Sequence, residues 1–522
     1  MTDKFLYESM ADITRVQARK NGDIPALIFE GRETTYAQLD VIASKIANGL
    51  SAEGLKVNSR VAYIGKNTDL FFQMITGTAK AAMVAVGVNW RLAPPELVYI
   101  FENSSAEIVI VGPEFYELIG GIEDQLTQVK KFIALEGGHD RWTSFADWLE
   151  PQSDVDPMIS ISPEEDYLQM YTSGTTGHPK GVQLTHGNYL EFSRQSLASE
   201  LFEWEAGEVT MVVMPSFHVA GVNAAIGGLI QGASCLILRD VDPMEILKLI
   251  PQYKVNYTVF VPAVIMFLIQ TPGVEKVDFS SLKLIFYGAS PISEDVLIKA
   301  QEILACDFCQ VYGLTETSGL GTTLLPEHHD PALDKLRSCG IAADGVEIMI
   351  RGEDGSALPA NDIGEILFKS KVIMKGYWAN SEATEKSIQN DWFHTGDAGY
   401  LDEEGFLFIR DRVKDMIVSG GENVYPAEVE NALHKHPAIA DAAVIGIPDE
   451  KWGEAVKAIV VKVPDQEVTE EEIITFAREQ IAAYKVPKSV DFIDVLPRNP
   501  SGKILKRELR APFWEGKERQ VN

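Results

Sequence analysis

Short apolar runs rich in β-branched residues recur between residues 60 and 287, at 60–64, 107–111, 129–135, 210–214, 234–238, 257–261 and 284–287. Segments of helical periodicity separate them. A strand lying parallel to its predecessor needs a crossover of about a dozen residues or more, and a helix is the usual one. The alternation therefore constrains this part of the chain to largely parallel α/β sheets covered by helices. No internal repeat or low-complexity tract competes with that reading.

Past residue 340 or so the texture changes. Runs at 346–351, 364–369, 405–409 and 416–418 are closer together, with glycine-rich turns such as GEDG, as in a small barrel or sheet. A second shift falls at 410–415, RDRVKD. Beyond it, helices are expected at 426–434 and 470–481 and strands at 442–447 and 456–463. That is a compact α+β unit of roughly 110 residues, an ordinary domain size, so a domain boundary is placed there.

Composition removes several function classes. Of 522 residues 46% are hydrophobic and 23% charged, with 46 basic against 76 acidic residues and a net charge of −30. So acidic a chain lacks the basic footprint of a general nucleic-acid binder. The segment from Tyr484 to Arg510 runs against that trend, with Lys485, Lys488, Arg498, Lys503, Lys506, Arg507 and Arg510. It reads either as a solvated face or as a cationic patch facing an anionic substrate. The four cysteines, Cys235, Cys306, Cys309 and Cys339, form no disulfide framework and suit a reducing compartment. Cys306 and Cys309 have CxxC spacing without the second ligand pair that a zinc site needs, so they read as two semi-buried thiols ahead of a strand. His434 and His436 read as the polar end of a surface helix.

The charged start, MTDKFLYESM, is no secretory signal, and a cytoplasmic protein is expected. Two stretches, 210–238 and 255–274, contain no Asp, Glu, Lys or Arg and are long enough to span a bilayer. Their prolines, amides and glycines suit buried strands and a helix around an apolar cavity better, leaving room for a weak peripheral membrane contact. A homodimer is the common assembly of soluble enzymes.

The stretch MYTSGTTGHPKGVQLTHGNY, residues 170–189, concentrates glycine and hydroxyl side chains around one lysine. Consecutive N–H groups in such a loop form an anion-binding concavity. Thr172, Ser173, Thr175 and Thr176 add hydroxyl donors and Lys180 a point charge, so the chemistry points at a polyphosphate. It is not the P-loop pattern, because Gly174 and Gly177 are too close and Lys180 is followed by Gly181. No GxGxxG follows a strand, and neither GxSxG nor HExxH occurs.

YTSGTTGHPKG, residues 171–181, resembles the signature of the adenylate-forming superfamily, which includes acyl-CoA synthetases, 4-coumarate–CoA ligases, luciferases and nonribosomal-peptide adenylation domains. Further motifs follow in the family's order: YGLTE at 312–316, WFHTGD at 392–397, RDRVKDMI at 410–417, SGGENVYPAEVE at 419–430 and PRNPSGKILKRELR at 497–510. The resemblance covers nearly the whole chain. It implies an N-terminal domain, 1–410, of mostly parallel α/β subdomains with a small β-barrel-like part. A hinge at 411–415 centred on Lys414 would join it to a small mobile α+β lid, 416–522. It also implies an AMP-forming ligase that uses ATP, Mg²⁺ and coenzyme A on a small carboxylic acid.

By the same resemblance, Thr172, Ser173, Gly174, Thr175, Thr176, Gly177 and Lys180 hold the β and γ phosphates. Glu316, with Thr176, carries Mg²⁺, and Thr315 reaches the α-phosphate. Tyr312 lies against adenine, with Gly288, Ala289, Gly313 and Ile409 completing the nucleotide surface. Asp397 accepts the ribose hydroxyls and Arg412 contacts ribose or phosphate. Lys503 bridges the substrate carboxylate and the α-phosphate, and leaves after adenylation, when Ser419, Gly420, Gly421 and Glu422 line a pantetheine channel. Phe217 and His218 border the carboxylate, though a core histidine is a close competitor. Gly221, Ala224, Gly288, Ala289, Gly313 and Gly319 leave volume for an apolar acid. A medium- or long-chain fatty acid is the first expectation. Alternatives are an aryl, phenylpropenoic or steroid side-chain acid, or an acyl-AMP ligase with a non-CoA acceptor. A non-catalytic nucleotide-binding module is disfavoured by the presence of Lys180, Glu316, Asp397 and Lys503 together.

Overall fold

The computed structural model describes residues 7–172, 179–198, 204–290, 292–352, 354–412, 415–419, 422–449, 453–464, 466–481, 483–498 and 504–515. All seven apolar runs of the first 300 residues become strands, and they divide between two sheets. One has nine strands, in the order Ile341–Ala342, Thr322–Leu324, Asp307–Tyr312, Leu284–Gly288, Val255–Phe260, Val209–Val212, Ser234–Ile237, Pro25–Phe29 and Arg32–Thr35. Its six middle strands, Asp307–Tyr312 to Pro25–Phe29, are parallel. The other has eight, in the order Gly376–Tyr377, Lys180–Thr185, Asp166–Thr172, Val84–Val88, Arg60–Ile64, Ala106–Val111, Lys131–Ala134 and Thr143–Ser144. Within it, Asp166–Thr172 and Lys180–Thr185 form an antiparallel hairpin in which Thr172 faces Lys180.

Two of the crossover helices begin at side-chain caps. Asp242 precedes Pro243–Tyr253 and accepts from the amides of Met244 and Glu245, and Ser293 caps Glu294–Leu304 through the amide of Val296. One contiguous apolar core contains residues of both sheets, Leu27, Phe29 and Val212 from the first and Val61, Ile108 and Met170 from the second, with the helix Val219–Gln231 contributing Val222, Ile226 and Leu229. The two stretches tested for membrane span form strands and helices that pack into this core and into a second one, which holds Val255, Phe260, Val264 and Leu268, and among the described residues no helix is long and apolar enough to cross a membrane.

A third, antiparallel sheet orders Glu347–Arg351, Gly364–Lys369, Trp392–Leu401 and Ile388–Gln389, with Leu407–Arg412 also paired to Trp392–Leu401. Of the two forms expected here, it is a sheet: among the described residues no pairing closes it into a barrel. The fourth sheet runs Glu422–Val424, Ile417–Ser419, Gly453–Lys462 and Ile439–Asp449, with Ser489–Phe492 parallel to Gly453–Lys462. The helices Pro426–Leu433 and Glu470–Gln480 supply Val429, Leu433, Ile473 and Ala477 to its core.

Two expectations are corrected. Cys309 lies within the strand Asp307–Tyr312, not ahead of it, and burial pushes the thiols of Cys306 and Cys309 up to about 12, leaving them inert neutral groups. Four of the seven cations of the basic C-terminal stretch are ion-paired within the fold, while Lys503 lies outside the described residues. Lys485 pairs with Glu428 at 2.6 Å, Arg498 with Asp441 at 2.5 Å, Lys506 with Glu430 at 2.9 Å and Arg510 with Asp415 at 3.0 Å.

Candidate active site

Open parallel sheets bind ligands beyond the carboxyl ends of their strands, where the peptide chain turns into loops and helices. Most candidate residues gather there. Phe217 and His218 follow Val209–Val212, Gly288 and Ala289 end Leu284–Gly288, and Tyr312 to Glu316 end Asp307–Tyr312. The last two strands are neighbours, with Gly288 opposite Val311. At the end of Asp166–Thr172 begins the glycine-rich stretch, of which Thr172 and Lys180 are described and Ser173, Gly174, Thr175, Thr176 and Gly177 lie outside the described residues.

The flanks of that stretch are held by side chains that sequence reasoning missed. Tyr99 Oη donates to the carbonyl of Pro179 at 3.1 Å, and Tyr171 Oη donates to Asn103 Oδ1 at 2.7 Å. Trp378 N–H donates to Gly181 O at 2.7 Å, and its indole ring is covered by the Arg60 guanidinium at 3.5 Å. Arg60 in turn pairs with Asp166 at 2.8 Å, both buried. Tyr171 opens the glycine-rich motif itself, whereas Tyr99 and Asn103 lie on the helix Pro94–Ser104, Arg60 and Asp166 in strands and Trp378 in a turn, and these five belong to no motif.

Glu316 sits in a turn of 3₁₀ helix, Thr315–Thr317, beside Thr315, and is 8% exposed. Its Oε1 accepts from Tyr377 Oη at 2.8 Å, and its carbonyl accepts from Met374 N–H at 2.8 Å. Lys180 Nζ lies 4.7 Å from the centroid of the same Tyr377 ring. Tyr312 Oη donates to Asp397 Oδ2 at 2.7 Å, which joins the first sheet to the third. Burial and the neighbouring carboxylate hold the Tyr312 phenol well above its ordinary value, so it stays protonated and keeps donating. Asp397 faces Arg412 in strand register, and Ile409, like Tyr312, packs partly buried against the apolar cluster of Ile366, Phe368 and Leu407. An aromatic ring, a carboxylate and a strand end thus come together from residues 85 apart in sequence.

His218 precedes the helix Val219–Gln231, and its ring lies 4.5 Å from that of Phe217. Its Nε2 is buried with no hydrogen-bond partner among the described residues. Burial, aided by Arg91, brings its pKa down to about 4, so the imidazole is neutral. Asn67 fixes this segment, donating to the carbonyls of Val213 and Met214 and accepting from Ser216 N–H at 2.8 Å. Phe217 itself is buried against Gly87 of the second sheet.

The glycines expected to leave volume for an acid are close-packed instead. A Cβ at Gly221 would lie 2.4 Å from Pro215 O, and at Gly288 2.1 Å from Val311 O. At Gly313 it would lie 2.5 Å from Gly319 C, while Gly319 has φ +80° and faces Asn223. Their small size serves backbone contact and a left-handed turn. Ala289 also takes a left-handed backbone, φ +68°, a costly conformation at the end of its strand.

Ser419 is buried and pairs with Glu422 across the hairpin of the fourth sheet. Lys503, Lys414, Gly420 and Gly421 lie outside the described residues. Among the described residues no group of three or more His, Cys, Asp or Glu could hold a metal ion. A single buried carboxylate, Glu316, suits a hard cation that brings its other oxygen ligands with a nucleotide.

Residues 14–378 match the family model of the AMP-binding enzyme, and residues 428–503 that of the AMP-binding enzyme C-terminal domain. The chain belongs to the AMP-binding enzyme family. It is thereby a member of the adenylate-forming superfamily. This AMP-binding enzyme is 38% identical over 519 residues to a fatty acid–[acyl-carrier-protein] ligase of Streptomyces coeruleorubidus, covering 99% of this chain and 98% of the relative. It is 37% identical over 479 residues to a long-chain-fatty-acid–CoA ligase of Mycobacterium tuberculosis (92% and 93%). Among solved structures, an anthranilate CoA ligase in complex with anthranoyl-AMP matches with a TM-score of 0.90 at 27% identity, covering 97% of this chain and 98% of that one. Family and relatives make it an ATP-dependent, AMP-forming ligase of the acid–thiol class.

Proposed function

We propose that this AMP-binding enzyme joins a hydrophobic carboxylic acid, first of all a medium- or long-chain fatty acid, to coenzyme A through an acyl-adenylate. A carboxylate cannot expel oxide, so the acid must first be activated. Its oxygen attacks the α-phosphorus of ATP, pyrophosphate leaves, and the thiol then displaces AMP from the mixed anhydride. The observation that carries the reading is the paired arrangement of Tyr312 with Asp397 and of Glu316 with Lys180 around Tyr377. It sets an aromatic face and an acceptor for the nucleoside beside a carboxylate and a cation for the phosphates.

Each residue then has one task. Lys180, with the stretch from Thr172 to Gly177, takes the charge of the β and γ phosphates and guides pyrophosphate out. Thr315 reaches the α-phosphate, while Asp397 and Arg412 hold the ribose. Neutral His218 borders the acid's carboxylate. Mg²⁺, when bound with Glu316 and Thr176, neutralises charge on the phosphate oxygens. Lys503, carried on a lid of residues 416–522 that turns about Lys414, stabilises charge as the adenylate forms. After rotation Ser419, Gly420, Gly421 and Glu422 guide the pantetheine.

The substrate class draws on relatives of differing specificity: besides the two fatty-acid ligases, a feruloyl-CoA synthase of Amycolatopsis is 34% identical over 498 residues. The Streptomyces relative also favours a second reading of the acceptor, a thiol on a carrier protein in place of free coenzyme A. Lys503→Ala tests the division of labour. It is expected to abolish adenylation while keeping most of thioester formation from supplied acyl-AMP. Equal loss in both half-reactions would remove the lid from the mechanism.

A further inference from the structure

Two charges that meet the triphosphate in this reading come from different sheets. Glu316 follows the strand Asp307–Tyr312, and Lys180 opens the strand Lys180–Thr185. One side chain touches both. The Tyr377 hydroxyl donates to Glu316 Oε1 at 2.8 Å in a buried bond, and its ring face lies 4.7 Å from Lys180 Nζ. Tyr377 is itself tightly held. It pairs with Val182 in the sheet, its N–H donates to Thr384 Oγ1 at 2.9 Å, and it is 8% exposed. The same short segment reaches the backbone of Glu316 and of Gly181, the residue after Lys180: Met374 N–H donates to Glu316 O at 2.8 Å and Trp378 N–H to Gly181 O at 2.7 Å.

A carboxylate and an ammonium left close together in a partly buried site attract strongly and pair with each other. A phenol gives each charge a partner of its own, the hydroxyl for the carboxylate and the ring face for the cation. We propose that Tyr377 is a positioning residue for magnesium–ATP, aiming Glu316 at the cation that travels with the phosphates and Lys180 at the β and γ phosphates. The proposal rests on the nucleotide reading of the site given above. It acts through Glu316 and Lys180, so its mark is selective: it concerns the cation and the outer phosphates, and neither the nucleoside nor the acid.

Equilibrium titration of the full-length protein by calorimetry tests this, with MgATP and with AMP as separate ligands and with Mg²⁺ varied at fixed ATP. Tyr377→Phe removes only the hydroxyl. It is expected to weaken MgATP roughly tenfold and to raise the half-saturating Mg²⁺ concentration by a similar factor, as for a lost hydrogen bond to a charged group. AMP affinity is expected to stay within about twofold. Tyr377→Leu, which also removes the ring, is expected to lose MgATP affinity by a further factor of about 3, again with AMP retained. In a Glu316→Gln background, Tyr377→Phe should change the Mg²⁺ dependence little. Unchanged MgATP affinity in Tyr377→Phe, or MgATP and AMP weakened by the same factor, overturns the proposal while the nucleotide reading stands on the wild-type titrations. Wild-type protein that binds neither nucleotide overturns the nucleotide reading, and this proposal with it.

Discussion

Replacing Gly221 by alanine separates packing from pocket. The added methyl group would lie 2.4 Å from Pro215 O and 2.5 Å from Met214 O. Ordinary contact is near 3.5 Å, so about 1 Å of movement is needed. Both oxygens belong to backbone that Asn67 pins through Val213, Met214 and Ser216, and neither can swing aside as a side chain would. Two effects oppose each other. Alanine is a better helix former than glycine by about 1 kcal/mol, whereas overpacking costs about 1–3 kcal/mol. Two close backbone oxygens put the cost at the upper end, for a net destabilisation of about 1–2 kcal/mol and, in so large a chain, a Tm lower by about 1–2 °C. The strain falls on the segment carrying His218, so turnover should drop by a similar factor for short and long acids. Scanning calorimetry and a chain-length series of acids read both effects. An unchanged Tm, with KM raised only for long acids, would refute the packing argument and make Gly221 a wall of the acyl pocket.

Asp397→Asn weakens a buried acceptor that takes the Tyr312 hydroxyl at 2.7 Å. AMP affinity is expected to fall roughly tenfold or more with KM for the acid unchanged, and equal losses for both ligands would argue against a ribose contact. His186 is buried, its Nδ1 accepts from Met10 N–H at 3.2 Å, and burial takes its pKa down to about 4. The unfolded imidazole takes up a proton near pH 6.5, so between pH 6.5 and 4 the unfolded chain binds more protons and stability falls as pH falls. The contribution is about 2 kcal/mol at pH 5. The Tm of His186→Gln should therefore fall less than that of wild type between pH 7 and 5, and parallel falls would contradict the sign. Lys80 is fully buried with its ammonium 2.6 Å from Asp40 Oδ1, 2.8 Å from Asp156 Oδ2 and 2.9 Å from Ser44 Oγ. Lys80→Ala should cost about 3 kcal/mol in denaturant unfolding, and a loss below 1 kcal/mol would mean that water replaces the ammonium.

Periodicity and motif order reached different depths of this structure. The seven apolar runs fell within or beside strands because a strand buried on both faces leaves a continuous apolar signal, and the helix–strand pattern after residue 426 was equally direct. Tyr312, Glu316 and Asp397 were legible through ordered motifs. Tyr377 was not. Its strand is two residues long, it lies in none of the motifs, and its partner Glu316 lies 61 residues away, a pairing that only the third dimension creates. The glycines failed for another reason. A glycine that makes room for a ligand and one that admits a neighbouring carbonyl are the same letter, and only the 2.1 Å approach of Val311 O to the Cβ position of Gly288 separates them. The basic stretch was hard to read for a similar reason, because the carboxylates that pair with Lys485, Lys506, Arg498 and Arg510, namely Glu428, Glu430, Asp441 and Asp415, stand 57 to 95 residues earlier in the chain in a pattern that looks unremarkable.

Above all, this enzyme is expected to cleave ATP to AMP in order to make a thioester. The direct test is chromatographic measurement of AMP, ADP and acyl-thioester from purified protein with ATP, Mg²⁺ and coenzyme A. It should be run against straight-chain, aryl and steroid acids, each with and without the acid. AMP and thioester rising together, only with an acid and with a clear chain-length or ring optimum, is the predicted result. AMP or acyl-AMP without thioester would move the acceptor to a carrier protein or amine. ADP as the product, or no AMP from any acid by protein that binds MgATP, would contradict that expectation itself.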